Sequence, residues 1–296
     1  MYPSIKDIEE ALIRTIETAV VELPNDVREH LERAYYKEEG LAKTMLKTIL
    51  DNIKVASEER IPLCQDTGLL SYYVRVGTKF PYIDHIYEIL RKATIRATKE
   101  IPLRPNAVNV VNNINSGDNT GYNIPMVNIE LIPKSKKLEI IVMPKGGGSE
   151  SPSISRVLTP AQGIKELIKT VIKQIGMYVI NACPPIVVGI GIGGTFDWAS
   201  QLAKRALLRR LGKRNSIKEI AKLETITLNL INELGIGVQG VGGKVTALDV
   251  HIEIAHRHPA TLAMALCVSC WALRRAIMRI SEDGRIEISP YNGDDI

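Results

Sequence analysis

Ile186-Val187-Val188-Gly189-Ile190-Gly191-Ile192-Gly193-Gly194-Thr195 is the stretch on which the fold class turns. The apolar run Ile186–Ile190 reads as a buried strand, and the glycines lead through Thr195 into a helix ending near Leu211. Gly189, Gly191 and Gly194 satisfy G-x-G-x-x-G between a strand and a helix, formally a dinucleotide fingerprint. Such a fingerprint needs an acidic residue about 20 residues further on, at the end of a second strand. Leu207–Arg214 occupies that place; it is basic and helical in character. The glycines are therefore read as tight strand-to-helix packing with amides facing an anion, not as a nucleotide fold.

Upstream of this stretch, Thr159-Pro160 gives an N-cap followed by Pro at the first helical position, and the helix it predicts runs to about Ala182. Cys183-Pro184-Pro185 ends it. Downstream, a helix over 217–234 precedes the run Gly235–Lys244, a strand over Ala247–Ile254 and a closing strand at Arg285–Ser289. Gly242-Gly243-Lys244 imitates a phosphate loop, but Val238 stands at the required earlier glycine and Val245 follows the lysine. Near the N-terminus, Ile5, Ile8, Leu12, Ile16, Ala19 and Val20 form one helical stripe behind a Ser4 cap. Two more helices reach about Tyr36 and Ala56. Ile61–Gly68 is irregular, Leu70–Val76 reads as a strand, and Asp84 to Lys99 as a helix. Residues 101–123 form a long polar loop, a length that in a compact chain points to function. Val127–Ile132 and Leu138–Met143 read as a strand pair around the turn Pro133–Lys137. The sum is an α+β fold: mixed β-sheets surrounded by helices, with a helical N-terminal segment over about 1–60 and one continuous domain over 1–296.

Among 296 residues, 45% are hydrophobic and 24% charged, a globular composition that excludes a disordered chain. No apolar run is long enough to span a bilayer, and the first residues lack a basic segment followed by an apolar one. The expected location is the cytoplasm, with no membrane partner. The net charge of +5 suits an anionic small substrate as well as nucleic acid. With Phe80 and Phe196 as the only phenylalanines and no basic–aromatic stripe, nucleic acid is not expected as a partner. The basic cluster Lys204, Arg205, Arg209, Arg210, Lys213 and Arg214 reads as a solvated helix face. Four cysteines stand at 64, 183, 267 and 270, and a cytosolic setting argues against disulfides. Cys267-Val268-Ser269-Cys270 lacks a second pair to complete a zinc site, and Cys267, in the apolar run Leu262–Trp271, reads as a small buried hydrophobe. Cys64 and Cys183 sit beside polar or helix-breaking residues. Three thiolates from remote loops can share one iron–sulfur cluster, although spacing alone leaves ligation, catalysis and burial open.

Several segments, taken together and in order, carry a family likeness: Pro62-Leu63-Cys64-Gln65-Asp66-Thr67-Gly68, Asn119-Thr120-Gly121, Lys145-Gly146-Gly147-Gly148-Ser149-Glu150, Gly191-Ile192-Gly193-Gly194-Thr195 and Gly240–Val250. Over nearly the whole chain the sequence resembles the class I (iron–sulfur) fumarate hydratases, in particular the α subunit of the two-subunit form, a family shared with the L-tartrate dehydratase α subunit. The resemblance implies reversible hydration of fumarate to L-malate, or the same chemistry on tartrate, with a [4Fe-4S] cluster as Lewis acid. It implies ligation by Cys64, Cys183 and Cys270, with Cys267 a passenger. Gln65 and Asp66 are implied to contact substrate, Asp66 also handling a proton; Arg104 to pair a substrate carboxylate; Gly147 to bring amides to the substrate; and His258 to occupy a site position. Plainer roles stand beside these: a turn cap for Asp66, a surface ion pair for Arg104, a helix-start histidine for His258. Asn123-Ile124-Pro125 and Asp197 depart from the family pattern, where Thr and Glu are expected. Longer one-chain relatives carry a second domain with further basic groups, so the resemblance also implies a separate β subunit, in an α2β2 assembly. The rival from another class is a non-catalytic binding or regulatory protein with structural cysteines.

Overall fold

The computed structural model describes residues 2–293. Its α-helices are α1 (Ile5–Val21), α2 (Asn25–Lys37), α3 (Gly40–Glu59), α4 (Ile86–Glu100), α5 (Gly147–Glu150), α6 (Gly163–Tyr178), α7 (Phe196–Ala206) and α8 (Lys218–Glu233). Its strands are β1 (Leu69–Gly77), β2 (Met126–Ile132), β3 (Leu138–Lys145), β4 (Ile154–Leu158), β5 (Ile186–Gly194), β6 (Ala247–Arg257), β7 (Leu262–Ser269), β8 (Ala276–Ile280) and β9 (Ile286–Pro290). Mixed sheets, helices around them and a helical N-terminal segment make this the α+β fold that the sequence predicts. None of the described helices is long and apolar enough to cross a membrane. The chain divides into two compact units, Met1–Pro24 with Asn52–Gly146 and Arg274–Tyr291, and Asn25–Asp51 with Gly147–Leu273 and Asn292–Ile296.

The first unit holds a five-stranded sheet in the order β2-β1-β3-β8-β9. α1 begins with a reciprocal cap: the Asp7 amide donates to the Ser4 hydroxyl, and the Ser4 amide donates to the Asp7 carboxylate. The stripe Ile8, Leu12, Ile16 and Val20 is wholly buried against Leu90, Ala93 and Ala97 of α4 and against Tyr72, Val74, Ile140 and Met278 of the sheet. Each such side chain contributes about 2 kcal/mol of transfer free energy. The expected strand pair β2–β3 does not form. β1 lies between them, parallel to β2 and antiparallel to β3. Leu70, Tyr72, Val74 and Val76 of β1 are almost fully buried, whereas β2 has exposed residues along its length, so β1 takes the interior place and β2 the edge. The connection between β2 and β3 then crosses the end of β1, where Gly77 is required: a Cβ there would stand 2.1 Å from the Ser135 carbonyl oxygen. β8, which the sequence reading does not contain, fills the sheet between β3 and β9.

The second unit holds a four-stranded sheet in the order β4-β7-β5-β6. β5 runs on through the glycines to Gly194, beyond its predicted end. A Cβ at Gly189 would lie 2.1 Å from the Ala203 carbonyl oxygen, and one at Gly191 2.0 Å from that of Ala199. The glycines thus let α7 settle on the strand, which is the packing half of the reading made from sequence. On the other face, Val188, Ile190 and Ile192 join Leu167, Val171 and Ile175 of α6 and Ile231 of α8. α6 starts three residues later than Pro160 suggests, because the Gln162 side-chain oxygen accepts the Thr159 amide at 2.8 Å and holds that segment as a turn.

The basic cluster is a solvated face only in part: Arg210 and Lys213 are exposed, as expected, but Arg209 and Arg214 turn to carboxylates. Arg209 is 7% exposed and pairs with Glu224 and, at 2.7 Å, with Glu253. Arg214 pairs with Asp249 and donates to the Val250 carbonyl at 2.9 Å. Burial pushes the Asp249 carboxyl up, but His251, Arg214 and the Gly212 amide together outweigh it and hold the group well below the usual carboxylate range. A depressed folded-state pKa means that this contribution is present at neutral pH and is lost as the pH falls below about 4. Asp249→Asn should therefore lower stability by about 3 kcal/mol at neutral pH, with the deficit narrowing on acidification. Thermal unfolding of both proteins across pH checks this; a deficit independent of pH would refute it.

Candidate active site

In the first unit the chain leaves α3 and enters an irregular segment pinned around Leu63. The Leu63 amide donates to the Val20 carbonyl at 3.1 Å, and the Asn52 side chain donates to the Leu63 carbonyl at 3.0 Å. Cys64 and Asp66 are half-buried and Gln65 is exposed. The Gly68 amide donates to Asp66 Oδ1 at 2.9 Å, closing a tight Asx-type turn. Gly68 has φ +80°, and a Cβ there would stand 2.7 Å from the Lys145 backbone; only glycine fits. Gly146 lies against the other carboxylate oxygen, with its ideal Cβ position 2.8 Å from Asp66 Oδ2. Asp66 therefore does cap a turn, and its second oxygen faces Gly146.

Thr67 fastens this turn to the Arg104 loop. Its hydroxyl accepts the Arg104 amide at 3.1 Å and the Asn106 side-chain N–H at 3.2 Å. Asn119, 1% exposed, donates to the Arg104 carbonyl at 2.8 Å and accepts the Asn106 amide at 2.6 Å. Asn106 also donates to the Gly68 carbonyl at 3.1 Å. This part of the long polar loop is thus held by the amide side chains of buried Asn119 and half-buried Asn106, while the Arg104 side chain itself is exposed and pairs with no carboxylate among the described residues. The surface ion pair considered for Arg104 is absent from that set. Nearby Asp118 is pushed up by burial, but the Thr120 amide and hydroxyl, Ser116 and Arg91 hold it below its ordinary value. Arg274 donates from Nη2 to the Asp66 carbonyl at 3.0 Å. Thr67, Asn106, Asn119 and Arg274 are the residues that site reasoning from sequence missed, although Thr67 and Asn119 lay within quoted motifs.

In the second unit Gly147 opens α5, and a Cβ at the next residue, Gly148, would stand 2.7 Å from the Asn181 carbonyl oxygen. A 3-10 turn over Val179–Ala182 leads to Cys183, whose backbone is left-handed (φ 49°) and whose side chain is exposed. The Trp271 amide donates to the Cys183 carbonyl at 3.5 Å. Cys270 is half-buried just past β7, where Ser269 faces Val187 at the start of β5. Cys183 and Cys270 therefore share one end of the sheet. Cys267 is 3% exposed within β7, a buried small side chain as expected. His258 is exposed beyond the opposite end, where Gly194 pairs with Arg257, and it accepts the Ala260 amide at 3.2 Å. The length of β7, about 25 Å, separates the two ends.

Cys64, Cys183 and Cys270 lie on loops, none of them sealed in a core, and soft thiolates are the donors an iron–sulfur cluster takes. Among the described residues no three His, Cys, Asp or Glu side chains group as they would around a single metal ion. Ligands of three different irons need not gather so closely. In donor type the residues fit a cluster.

The chain is 45% identical over 283 residues to a Methanocaldococcus jannaschii protein provisionally named L(+)-tartrate dehydratase subunit alpha, spanning 94% of this chain and 99% of that one. It is 38% identical over 262 residues to the L(+)-tartrate dehydratase subunit alpha of Escherichia coli K12, spanning 88% of this chain and 86% of that one. The corresponding Shigella boydii protein gives the same figures. Residues 9–279 match the family described as Fumarate hydratase (Fumerase). With that match over most of its length, the chain belongs to the fumarate hydratase (Fumerase) family.

Proposed function

We propose that this chain is the α subunit of a cytoplasmic iron–sulfur hydro-lyase that reversibly hydrates fumarate to L-malate, its active site completed by a separate β subunit in an α2β2 assembly. The observation that carries the reading is the joining of the Asp66 turn to the Arg104 loop through Thr67 and Asn106. It sets a carboxylate suited to proton handling on the same scaffold as an exposed guanidinium. Both compact units are taken as one functional domain. The inward turn of Arg209 and Arg214 supports a small anion, not nucleic acid, as the partner of the positive charge.

Arg104 would pair one carboxylate of the dianion through its planar fork. Gln65, exposed and next to Asp66 in sequence, would offer an amide to the substrate, and Asp66 would exchange a proton near the substrate hydroxyl. The Gly147 amide would approach the substrate closely, with no Cβ in the way. A [4Fe-4S] cluster held by Cys64, Cys183 and Cys270 would supply a Lewis acid for the hydroxyl and its neighbouring carboxylate. His258, at the far end of its sheet, takes no part in this reading within one copy.

A second reading, L(+)-tartrate dehydratase, is favoured by the names of the relatives. Co-produced with its β subunit and assayed anaerobically, the complex should turn over L-malate and fumarate with a higher kcat/KM than L-tartrate, by about tenfold or more. The reverse order would replace the first reading with the second, and no turnover of any of the three would sink the hydro-lyase reading.

A further inference from the structure

Arg274 opens the last chain segment of the first unit, just ahead of β8, and is 2% exposed. A guanidinium stays charged at every physiological pH and carries five N–H donors. Here Nη2 donates to the Asp66 carbonyl, while Nε and Nη1 are enclosed without a hydrogen-bond partner. Arg209 shows how this fold treats a buried cation it uses for structure: Glu224 and Glu253 both pair with it. Arg274 forms no ion pair with a carboxylate among the described residues, although Asp66, whose carbonyl it holds, carries one. A positive charge taken out of water without a counter-charge is costly, and it raises the affinity of its surroundings for an anion.

We propose that Arg274 is a positioning residue of the Asp66 site: it fixes the peptide of the Asp66 turn and brings there a buried positive charge that no ion pair among the described residues holds, which strengthens the hold on a dicarboxylate. The inference rests on the hydro-lyase reading for the identity of the anion. Direct ligation is not involved, since the guanidinium nitrogens are enclosed; the charge acts across the Asp66 peptide. Arg104 supplies the exposed fork and Arg274 the field behind it. The chain segment that brings Arg274 in is the one that carries Cys270 four residues earlier. One short stretch would thus serve both the proposed ligand set and the substrate charge.

The test uses the α–β complex and succinate, an unreactive dicarboxylate, as the probe in titration calorimetry, with steady-state kinetics alongside. Arg274→Met should weaken succinate binding and raise KM for the dicarboxylate by roughly tenfold or more. Arg274→Lys, which keeps the charge and loses the fork, should recover most of the binding while kcat stays low, because the Asp66 turn is less well fixed. Iron content should be equal in the three proteins. A merely structural arginine would give two variants with equally lowered melting temperatures and unchanged succinate affinity in the folded fraction, and that result would overturn the proposal. The two readings fail separately. Turnover with unaltered succinate binding in both variants removes the role of Arg274 alone. Succinate binding that depends on Arg274, in a complex that turns over neither malate, fumarate nor tartrate, removes the hydro-lyase reading alone.

Discussion

Cys270→Ser should strip iron and acid-labile sulfide from the assembled protein, whereas Cys267→Ser should leave both in place. The two cysteines stand three positions apart in the sequence, yet their surroundings differ in kind. Cys267 lies inside β7 opposite Gly189 and is almost fully buried, as an inert thiol is. Cys270 lies past the strand end, half-buried, on the side of the sheet where Cys183 sits on its left-handed turn. A serine at 267 places a hydroxyl in an apolar strand and costs about 1–3 kcal/mol, a loss of stability that does not touch the cluster. A serine at 270 replaces a soft thiolate by a weak, protonated donor. Iron and sulfide per chain, on anaerobically purified complex, measure the outcome. Wild type and Cys267→Ser should hold about four of each, as one cluster requires, and give a three-iron electron paramagnetic resonance signal after mild oxidation. Cys270→Ser should give neither. Equal loss in both variants would overturn the ligand assignment, and a cluster-free wild type would overturn the cofactor.

The elements that could be read from sequence were those whose signal is local. The α1 stripe repeats at helical spacing behind a reciprocal Ser4–Asp7 cap, so both its existence and its boundaries are carried by adjacent residues. The glycines of β5 were legible as packing because the nucleotide alternative makes a demand further along the chain that Leu207–Arg214 does not meet. The pairing of β2 and β3 was misread because neighbours in sequence are the default partners. What displaces that default is the burial of β1 on both faces, a property of the whole unit. β8 went unseen because Arg274, Arg275 and Arg279 make its stretch look solvated, although the first two are buried. The same holds for the solvated face assigned to Arg209 and Arg214: their carboxylate partners come from α8 and from β6, far along the chain.

The site divides in the same way. Residues with chemistry of their own, Cys64, Gln65, Asp66 and Arg104, fall in short stretches that the family likeness singles out. Those that arrange them carry no such mark, even where, like Thr67 and Asn119, they stand inside a quoted stretch. Thr67, Asn106 and Asn119 act through bonds to backbone groups, which leave no periodicity and no charge pattern. Arg274 reaches a carbonyl 208 positions away. Only the fold could bring that pair together.

The role of Asp66 can be tested without deleting it. Asp66→Asn keeps the acceptor for the Gly68 amide, and so the turn, but removes the proton-exchanging group; kcat should fall by roughly 10²–10⁴-fold with iron content unchanged. Gly146→Ala should approach that loss from the other side. Its backbone is outside the left-handed region, so alanine is tolerated there, but the new Cβ would stand 2.8 Å from Asp66 Oδ2 and the carboxylate must move. A displacement of about 1 Å at a reacting group costs on the order of 100-fold. Gly121→Ala is the control: it lies in the long loop over 101–123 with nothing within 4 Å of its Cβ position, and it should leave kcat within about twofold. If Asp66→Asn and Gly146→Ala both lose activity at full iron content while Gly121→Ala does not, Asp66 acts through the position of its second oxygen. If Asp66→Asn keeps most of the activity, the carboxylate serves the turn alone, and the proton passes through a group that the β subunit supplies.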